Sequence, residues 1–194
     1  MLTVSYMDFP VPQEEAEWNA QYNYMWKEAV PVTKTHKAHV MVTIMGIGTG
    51  TPMEKGILYT KAVTTLCRQS NTIGVYANEV VYEPKFFVEA SAMMADGGLP
   101  ILNLIWLGLG RTEKGTSAYT CGLKHFGKDE MEILDSSQMP SELRDFLLNL
   151  AVYVITEDVI LHDGETVGYT NEQRLKLVKS EGVNVHGESL KILF

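Results

Sequence analysis

Residues 141–155 have the sequence SELRDFLLNLAVYVI, which decides the fold class because it is the strongest helix pattern in the chain. Its apolar residues recur at i, i+3, i+4, i+7, i+8 and i+11, a spacing that places them on one core-facing side of a helix. These residues are Leu143, Phe146, Leu147, Leu150, Ala151 and Val154. Pro140 precedes the segment and suits the first helical turn. Such a helix needs a second layer that covers its apolar face.

Segments on both sides of this helix have strand patterns and predict that layer. ILNLIWLGLG at 101–110 is apolar on both faces, which is typical of a central strand covered on both sides or of a strand packed under helices. TSAYTCGLKHFG at 116–127 predicts its antiparallel return, and GKDEMEIL at 127–134 predicts a further strand. From about residue 159, short alternating segments surround an Asp-Gly turn and predict a β-rich tail of antiparallel strands.

The amino-terminal segment combines a strand with a helix. MLTVSYM at 1–7 alternates and is closed by prolines, so it predicts a first strand. Residues 14–29 predict a helix, and one face of it carries Trp18, Tyr22, Met25 and Trp26. Core packing is the preferred interpretation of this aromatic face, and an exposed aromatic patch for a partner is the alternative.

THKAHVMVTIMG at 35–46 raises the question of a metal site, because His36 and His39 stand three residues apart. The β-branched residues that follow favour a strand, in which side chains at i and i+3 point to opposite faces. We therefore predict no shared metal ion, with His39 as a half-buried polar residue and His36 in a loop.

The glycine-rich stretch GIGTGTPMEKG at 46–56 lies between a predicted strand and a predicted helix, where phosphate-binding loops occur. Its glycine spacing matches neither the dinucleotide-binding pattern nor the P-loop. A capped helix explains the stretch better, with Thr51 as N-cap, Pro52 as first residue and Glu54 completing a capping box. We therefore predict a helix and no nucleotide site.

The order of these elements predicts an α+β fold, a two-layer sandwich in which a mainly antiparallel or mixed sheet carries three to four helices. No linker or internal repeat divides the 194 residues. Residues 1–194 are therefore predicted to form a single α+β domain with a β-rich tail from about residue 159.

Composition restricts the class of partner. The formal net charge of -8 and the pI near 5.1 oppose the phosphate backbone of nucleic acid and suit a basic protein surface. The first residues lack the pattern of a signal peptide, and no apolar run reaches the roughly 20 residues of a membrane span. We expect a cytoplasmic protein that binds neither nucleic acid nor membrane.

Cofactor, metal and nucleophile chemistry find little support in the sequence. Cys67 and Cys121 stand far apart and outside any C-x-x-C pattern, so they predict neither a disulfide nor a zinc site. Their apolar neighbours disfavour a cysteine nucleophile that works with a distant histidine. No cofactor and no metal are predicted.

Carboxylates supply the remaining chemical candidates. Glu130 and Glu132 share one face of a predicted strand and could bind a cation or act as an acid/base pair, although a solvated edge strand is the preferred interpretation. Asp163 and Glu165 flank Gly164 in a turn that could carry function. A plain hairpin turn is the simpler interpretation.

Four blocks of sequence together resemble one family. They are HKAHVMVTIMG at 36–46, ILNLIWLGL at 101–109, HFGKDEMEI at 125–133 and LHDGETVGYT at 161–170. Their order resembles a family of bacterial proteins catalogued as domain of unknown function 4261, over roughly residues 1–180. The resemblance implies a bacterial cytoplasmic α+β domain and carries no catalytic assignment. Families of this kind often lie near toxin and immunity genes.

If the blocks matter functionally, the candidate binding residues are His39, Trp106, Glu130, Glu132, Asp163 and Thr166. For each of them a structural role is the preferred interpretation, with Trp106 filling the core and His39 and Thr166 satisfying buried backbone groups.

Three functions follow as hypotheses. We favour a non-enzymatic acidic protein-binding module, with the neutralisation of a toxin in an immunity-like role as its most specific form. The alternative is an enzyme or small-ligand-binding protein whose pocket contains Glu130, Glu132, Asp163 and His39. A third hypothesis is a homodimer that forms through the tail strands.

Overall fold

A computed structural model of the chain describes residues 1–45, 50–170 and 172–194. The backbone divides into two compact units, Met1–Leu104 and Ile105–Phe194. The boundary falls inside the apolar run 101–110, where the sequence carries no linker signal. The single-domain assignment therefore stays a prediction.

The first unit contains two small antiparallel sheets. Their strands are β1 (Leu2–Met7) with β2 (His39–Ile44), and β3 (Val75–Ala77) with β4 (Val80–Tyr82). The predicted first strand is thereby confirmed. Asn78 and Glu79 connect β3 to β4 with positive φ angles, the backbone conformation that a tight hairpin turn requires.

Helices make up most of the remainder of the first unit. They are α1 (Glu15–Ala20), α2 (Ala29–Thr33), α3 (Pro52–Cys67), α4 (Pro84–Ala90) and α5 (Ile101–Leu104), with 3₁₀ turns at Pro12–Glu14 and Ser91–Asp96. The predicted capping box of α3 is confirmed. The N–H of Glu54 donates to Oγ1 of Thr51, and the N–H of Thr51 donates to Oε2 of Glu54. The glycine-rich residues 46–49 before it lie outside the described residues.

The long helix predicted over residues 14–29 is wrong. Helix α1 ends at Ala20, and turns occupy most of the chain as far as α2. Asn23 provides the physical reason, because its side chain replaces helical hydrogen bonds: Oδ1 accepts from the N–H groups of Met25 and Trp26 at 2.9 and 3.1 Å. Asparagine competes with the helix for backbone groups in this way.

The second unit contains a six-stranded sheet in the order β5-β6-β7-β10-β9-β8. The strands are β5 (Trp106–Arg111), β6 (Thr116–Cys121), β7 (Glu130–Ser136), β8 (Thr166–Val167), β9 (Leu175–Glu181) and β10 (Glu188–Ile192), with a 3₁₀ turn at Leu123–Phe126. Neighbouring strands pair antiparallel except β7 and β10, which pair parallel. The sheet is therefore mixed.

Helix α6 (Pro140–Thr156) covers one face of this sheet and packs on β5 and β6. All six residues predicted for its core-facing side are buried. The α+β class is confirmed. The prediction of one sheet with three to four helices needs correction, because the described residues form three sheets and six α-helices.

The apolar run 101–110 forms a strand over only part of its length, and this strand packs under helix α6. The run 101–110 is divided between α5 and β5, and β5 lies at the edge of the sheet although Trp106 and Leu107 are buried. Strand β10, in contrast, is interior, since β7 and β9 take its two edges. The carboxyl-terminal strand therefore offers no free edge for pairing with a second copy.

Candidate functional site

Glu132 lies at the centre of a buried polar network in the second unit. Its side chain is 0% exposed, and its Oε2 atom lies 2.8 Å from Nζ of Lys191. Oγ of Ser189 donates to the same Oε2 at 2.6 Å. Oε1 accepts from the N–H of Asn184 at 2.6 Å and from its Nδ2 at 3.0 Å, while the N–H of Val183 lies 3.1 Å from Oε2.

The network decides the charge of Glu132. Burial raises the pKa of the carboxyl group, but the hydrogen bonds from Lys191, Ser189 and the backbone of Asn184 and Val183 outweigh it and lower the pKa to about 2. Lys191 also donates to the carbonyl of Glu181 at 2.8 Å and to Oγ of Ser189 at 2.6 Å. A carboxylate held so firmly in its ionised form is a poor proton donor or acceptor near neutral pH.

Glu130 occupies a separate polar site on the same strand. It is 3% exposed, and its carboxylate accepts from Oγ1 of Thr120, from the N–H of Gly122 (both at 2.8 Å) and from the N–H of Lys124 at 3.2 Å. Burial raises the pKa of Glu130, although these hydrogen bonds oppose the shift. The side chain therefore closes the turn after β6, and both of its oxygens have partners within the unit.

The solvated-edge interpretation of Glu130 and Glu132 is wrong. Strand β7 lies inside the sheet between β6 and β10, so both of its edges are paired, and Glu130 and Glu132 are only 3% and 0% exposed. Sequence alternation of Glu with apolar residues is the same for an edge strand and for an interior strand that buries satisfied carboxylates. The alternation indicates which residues share a face and leaves open what covers that face.

The Asp-Gly turn of the tail lies just before β8 and is hydrogen-bonded to β9. Oδ1 of Asp163 accepts from the N–H of Lys179 at 2.8 Å, and the N–H of Gly164 donates to the carbonyl of Leu177 at 3.0 Å. Thr166 lies in β8 opposite Lys176 and is exposed, so it does not satisfy a buried group as predicted. The hairpin interpretation of this turn is wrong, because no strand precedes residues 163–164 among the described residues, and the hairpin of the tail is formed by β8 and β9 after the turn.

The two histidines bind the amino-terminal segment of the first unit to the loop before β2 and to the first residue of β2. Nε2 of His36 accepts from the N–H of Val11 at 2.8 Å, and Nδ1 lies 2.7 Å from the carbonyl of Thr33. Nδ1 of His39 lies 2.9 Å from the carbonyl of Phe9. The predictions of a loop position for His36 and a half-buried position for His39 are confirmed. Each imidazole is used by backbone groups.

Trp106 is 3% exposed, which confirms its prediction as a core residue. Cys67 is also buried, and burial raises the pKa of its thiol to about 11, so the nucleophilic thiolate is scarce near neutral pH.

Within residues 1–45, 50–170 and 172–194, no group of three or more His, Cys, Asp and Glu side chains could hold a metal ion. In the same residues, no helix is long and apolar enough to cross a membrane.

The acidic pocket of the alternative hypothesis is not assembled in the second unit. Glu130 and Glu132 each have their own set of hydrogen-bond donors, and Asp163 binds the backbone of β9. A depression of about 420 Å³ in this unit is lined by other residues, namely Leu134, Val178, Lys191, Ile192, Leu193 and Phe194. His39 belongs to the first unit. A role in binding for any of the six candidate residues stays a prediction.

Sequence reasoning missed the partners of Glu132. Ser189 and Lys191 alternate with apolar residues in β10, and both are buried. A lysine between two apolar residues in a terminal strand was the available signal, because a buried lysine requires a carboxylate or carbonyl partner.

An aromatic patch in the first unit was the less favoured alternative from the sequence. Trp18, Tyr22 and Met25 are 65%, 43% and 47% exposed, and Tyr24 is also exposed. We call these four residues the aromatic segment. Its core-packing interpretation is wrong for them, because alanines occupy the buried positions instead: Ala16, Ala20 and Ala29 pack with Val81, and Trp26 lies partly buried against them.

A second apolar surface lies on the β1–β2 ribbon of the same unit. Val4, Tyr6 and Val40 project from one face, since Val4 pairs with Val42 and Tyr6 pairs with Val40 in register. All three are exposed. The first unit therefore combines exposed aromatic and β-branched side chains on two of its elements.

Taken together, the second unit contains a mixed sheet with a buried polar network around Glu132, and the first unit has an exposed aromatic surface. Residues 119–193 match the family model of a domain of unknown function, DUF4261. The resemblance predicted from the sequence is confirmed over these residues, which contain two of the four blocks and the whole Glu132 network. No curated protein and no solved structure matches the chain.

Proposed function

We propose that the chain is a non-enzymatic protein-binding module whose contact surface includes the aromatic segment of the first unit. The observation that carries this proposal is the exposure of Trp18, Tyr22, Tyr24 and Met25 within one short stretch. Single exposed apolar residues are normal, whereas a cluster of large ones marks an interaction site. Trp, Tyr and Met are also the residue types enriched at the cores of protein interfaces.

The buried carboxylates favour a structural role for the second unit over catalysis. Glu132 is held ionised by Lys191 and Ser189, and both oxygens of Glu130 have donors. A catalytic acid or base needs a proton that it can exchange with a substrate. The enzyme alternative therefore receives no support from these two residues.

A protein partner also agrees with the charge of the chain. The formal net charge of -8 attracts basic surfaces and accelerates their association. A toxin held in an immunity-like complex is the partner that the family resemblance suggests, and a cytoplasmic location is part of the same proposal.

Pull-down from native cells with the full chain as bait tests the proposal. The double variant Trp18→Ala/Tyr22→Ala removes two exposed rings, so it should fold normally and lose the partner. The matched control is Tyr153→Ala, which removes an exposed ring from α6 in the second unit.

Recovery of the same partner by wild type and Tyr153→Ala, and its loss with Trp18→Ala/Tyr22→Ala, is the expected result. A partner retained equally by all three proteins would place the contact elsewhere and refute this surface. Circular dichroism of each variant verifies that the fold is retained.

A further inference from the structure

We infer that the aromatic segment, together with the carboxylates beside it, binds a cationic segment rich in arginine or lysine on the partner protein. This inference rests on the proposed function, because it specifies the chemistry of the same contact surface.

The chain around the aromatic segment is acidic. Glu14, Glu15, Glu17 and Glu28 lie within residues 14–28, and Lys27 is the only basic residue there. Glu14 and Glu28 are exposed and make no ion pair among the described residues. An acidic border of this kind attracts cations and repels nucleic acid and anionic lipid surfaces.

Two of these carboxylates have partners inside the unit. Oε1 of Glu15 accepts from the hydroxyl of Tyr76 at 2.8 Å, and Oε1 of Glu17 lies 3.5 Å from Nδ1 of His36. Glu14 and Glu28 are therefore the two acidic groups most available to a ligand, one before the exposed rings and one after them.

The rings are held outward by the structure beneath them. Ala16 and Ala20 face the buried side of α1, and Trp18, two residues from each of them, lies on the opposite and exposed side. Asn23 is buried, and its Nδ2 donates to the carbonyl of Val81 at 2.8 Å while Oδ1 holds the following turn. A surface fixed before binding loses less entropy when a partner docks.

Exposed indole and phenol rings beside carboxylates match the chemistry of arginine and lysine. A guanidinium or ammonium group is attracted to the face of a Trp or Tyr ring, because the ring face carries partial negative charge. Carboxylates compensate the charge, and the aliphatic stem of the cationic side chain covers the ring and Met25. An uncharged apolar peptide would make the ring contacts but would gain no electrostatic attraction to the carboxylates.

Fluorescence anisotropy with a labelled peptide of alternating arginine and serine tests this inference on the full chain. The control peptide replaces every arginine with citrulline, which keeps the shape and removes the charge. We expect binding of the arginine peptide, at least tenfold weaker binding of the citrulline peptide, and a loss of affinity as salt increases.

Two pairs of variants locate the site. Trp18→Ala/Tyr22→Ala should lower the affinity for the arginine peptide about tenfold or more. Tyr153→Ala should leave this affinity unchanged. Glu14→Gln/Glu28→Gln should also lower the affinity for the arginine peptide, and the affinity of this variant should depend less on salt concentration. Glu113→Gln/Glu172→Gln removes the same charge from exposed positions of the second unit and should have a much smaller effect.

Equal affinity for both peptides would refute the inference, because the attraction would then not be ionic. Equal losses of affinity in the two glutamate double variants would also refute it, because the attraction would then not be specific to this surface. If the pull-down still maps a partner to Trp18 and Tyr22 in that case, the protein-binding function stands and only the cationic chemistry fails. If neither assay depends on these rings, both proposals fail.

Discussion

Nζ of Lys191 lies 2.8 Å from Oε2 of Glu132, and both side chains are buried inside the mixed sheet of the second unit. The two residues stand opposite each other in register on the parallel strands β10 and β7. Ser189 completes the arrangement, since its Oγ lies 2.6 Å from each of the two charged groups. The pair joins strands that are far apart in sequence and holds the chain at 183–184 through its backbone N–H groups.

Replacing one member of this pair should destabilise the fold strongly. Lys191→Met leaves Glu132 without its cation, and removing one partner of a buried ion pair costs about 3–5 kcal/mol. We expect a loss of this order in the free energy of unfolding at neutral pH, measured by urea denaturation. A loss below about 1 kcal/mol, the range of exposed pairs, would contradict the buried pair.

The double variant Glu132→Gln/Lys191→Met tests whether the two charges act together. The double variant contains neither charge, so no charge is left buried without its partner. Its loss in the free energy of unfolding should therefore be smaller than the sum of the two single losses by about 0.5–3 kcal/mol. Additive single losses would mean that the two side chains are energetically independent.

Acid should weaken the fold through Glu132. Its folded-state pKa of about 2 lies below the ordinary value of 4.5, so its stabilisation is complete above pH 4.5 and is lost as the pH falls toward 2. We expect the free energy of unfolding of the wild type to fall in this window. In Glu132→Gln the fall should be clearly smaller, as measured by urea denaturation from pH 2 to pH 6.

Glu130 should have the opposite pH dependence. Burial raises its pKa in the folded state, so its contribution to stability is greatest below pH 4.5 and decreases as the pH rises through the folded-state pKa. Glu130→Gln should therefore cost less at neutral pH than Glu132→Gln. The reverse order in urea denaturation would show that the hydrogen bonds to Glu130 outweigh its burial.

Gly108→Ala should destabilise the second unit. A Cβ atom at this position would lie 2.0 Å from the ring of Tyr119, its cross-strand partner, so the ring rests directly on the glycine. Overpacking of this kind costs about 1–3 kcal/mol, visible as a lower melting temperature. Gly110→Ala on the same strand is the control, because no atom of the described residues lies within 4 Å of a Cβ placed there. Equal effects of the two substitutions would refute the ring contact.

His36→Ala should loosen the amino-terminal segment of the first unit. The imidazole accepts the partly buried N–H of Val11 at 2.8 Å, and such a donor left without an acceptor costs about 1 kcal/mol. We expect faster hydrogen exchange at the amide of Val11 in this variant. His162→Ala, at an exposed histidine of the second unit, should leave that amide unchanged. Unchanged exchange in His36→Ala would mean that other contacts hold the segment.

Local patterns predicted several elements correctly because their causes are local. The core face of α6 follows from the helical spacing of Leu143, Phe146 and Leu147, and the start of α3 follows from the hydrogen bonds between Thr51 and Glu54. The α+β class follows from the same alternation of helix and strand patterns. In these cases the interacting residues lie within a few positions of one another in the chain.

The candidate sites were less predictable, because their environment comes from distant parts of the chain. Glu132 has the same neighbours in sequence whether β7 is an edge strand or an interior strand, and its partner Lys191 arrives with β10 near the end of the chain. Trp18 and Tyr22 have the spacing of a core face, yet Ala16 and Ala20 take the buried positions. Amphipathic spacing indicates that residues share a side of a helix, and which side is buried depends on what packs there.

The sequence by itself determined the α+β class, the capped helix at Thr51, the core side of α6 and the acidic net charge. Only the tertiary structure decided that Glu130 and Glu132 are buried, that β10 is interior and that the aromatic segment is exposed. Propensity, capping and periodicity act over a few residues, whereas strand order and burial result from contacts between residues far apart in the chain.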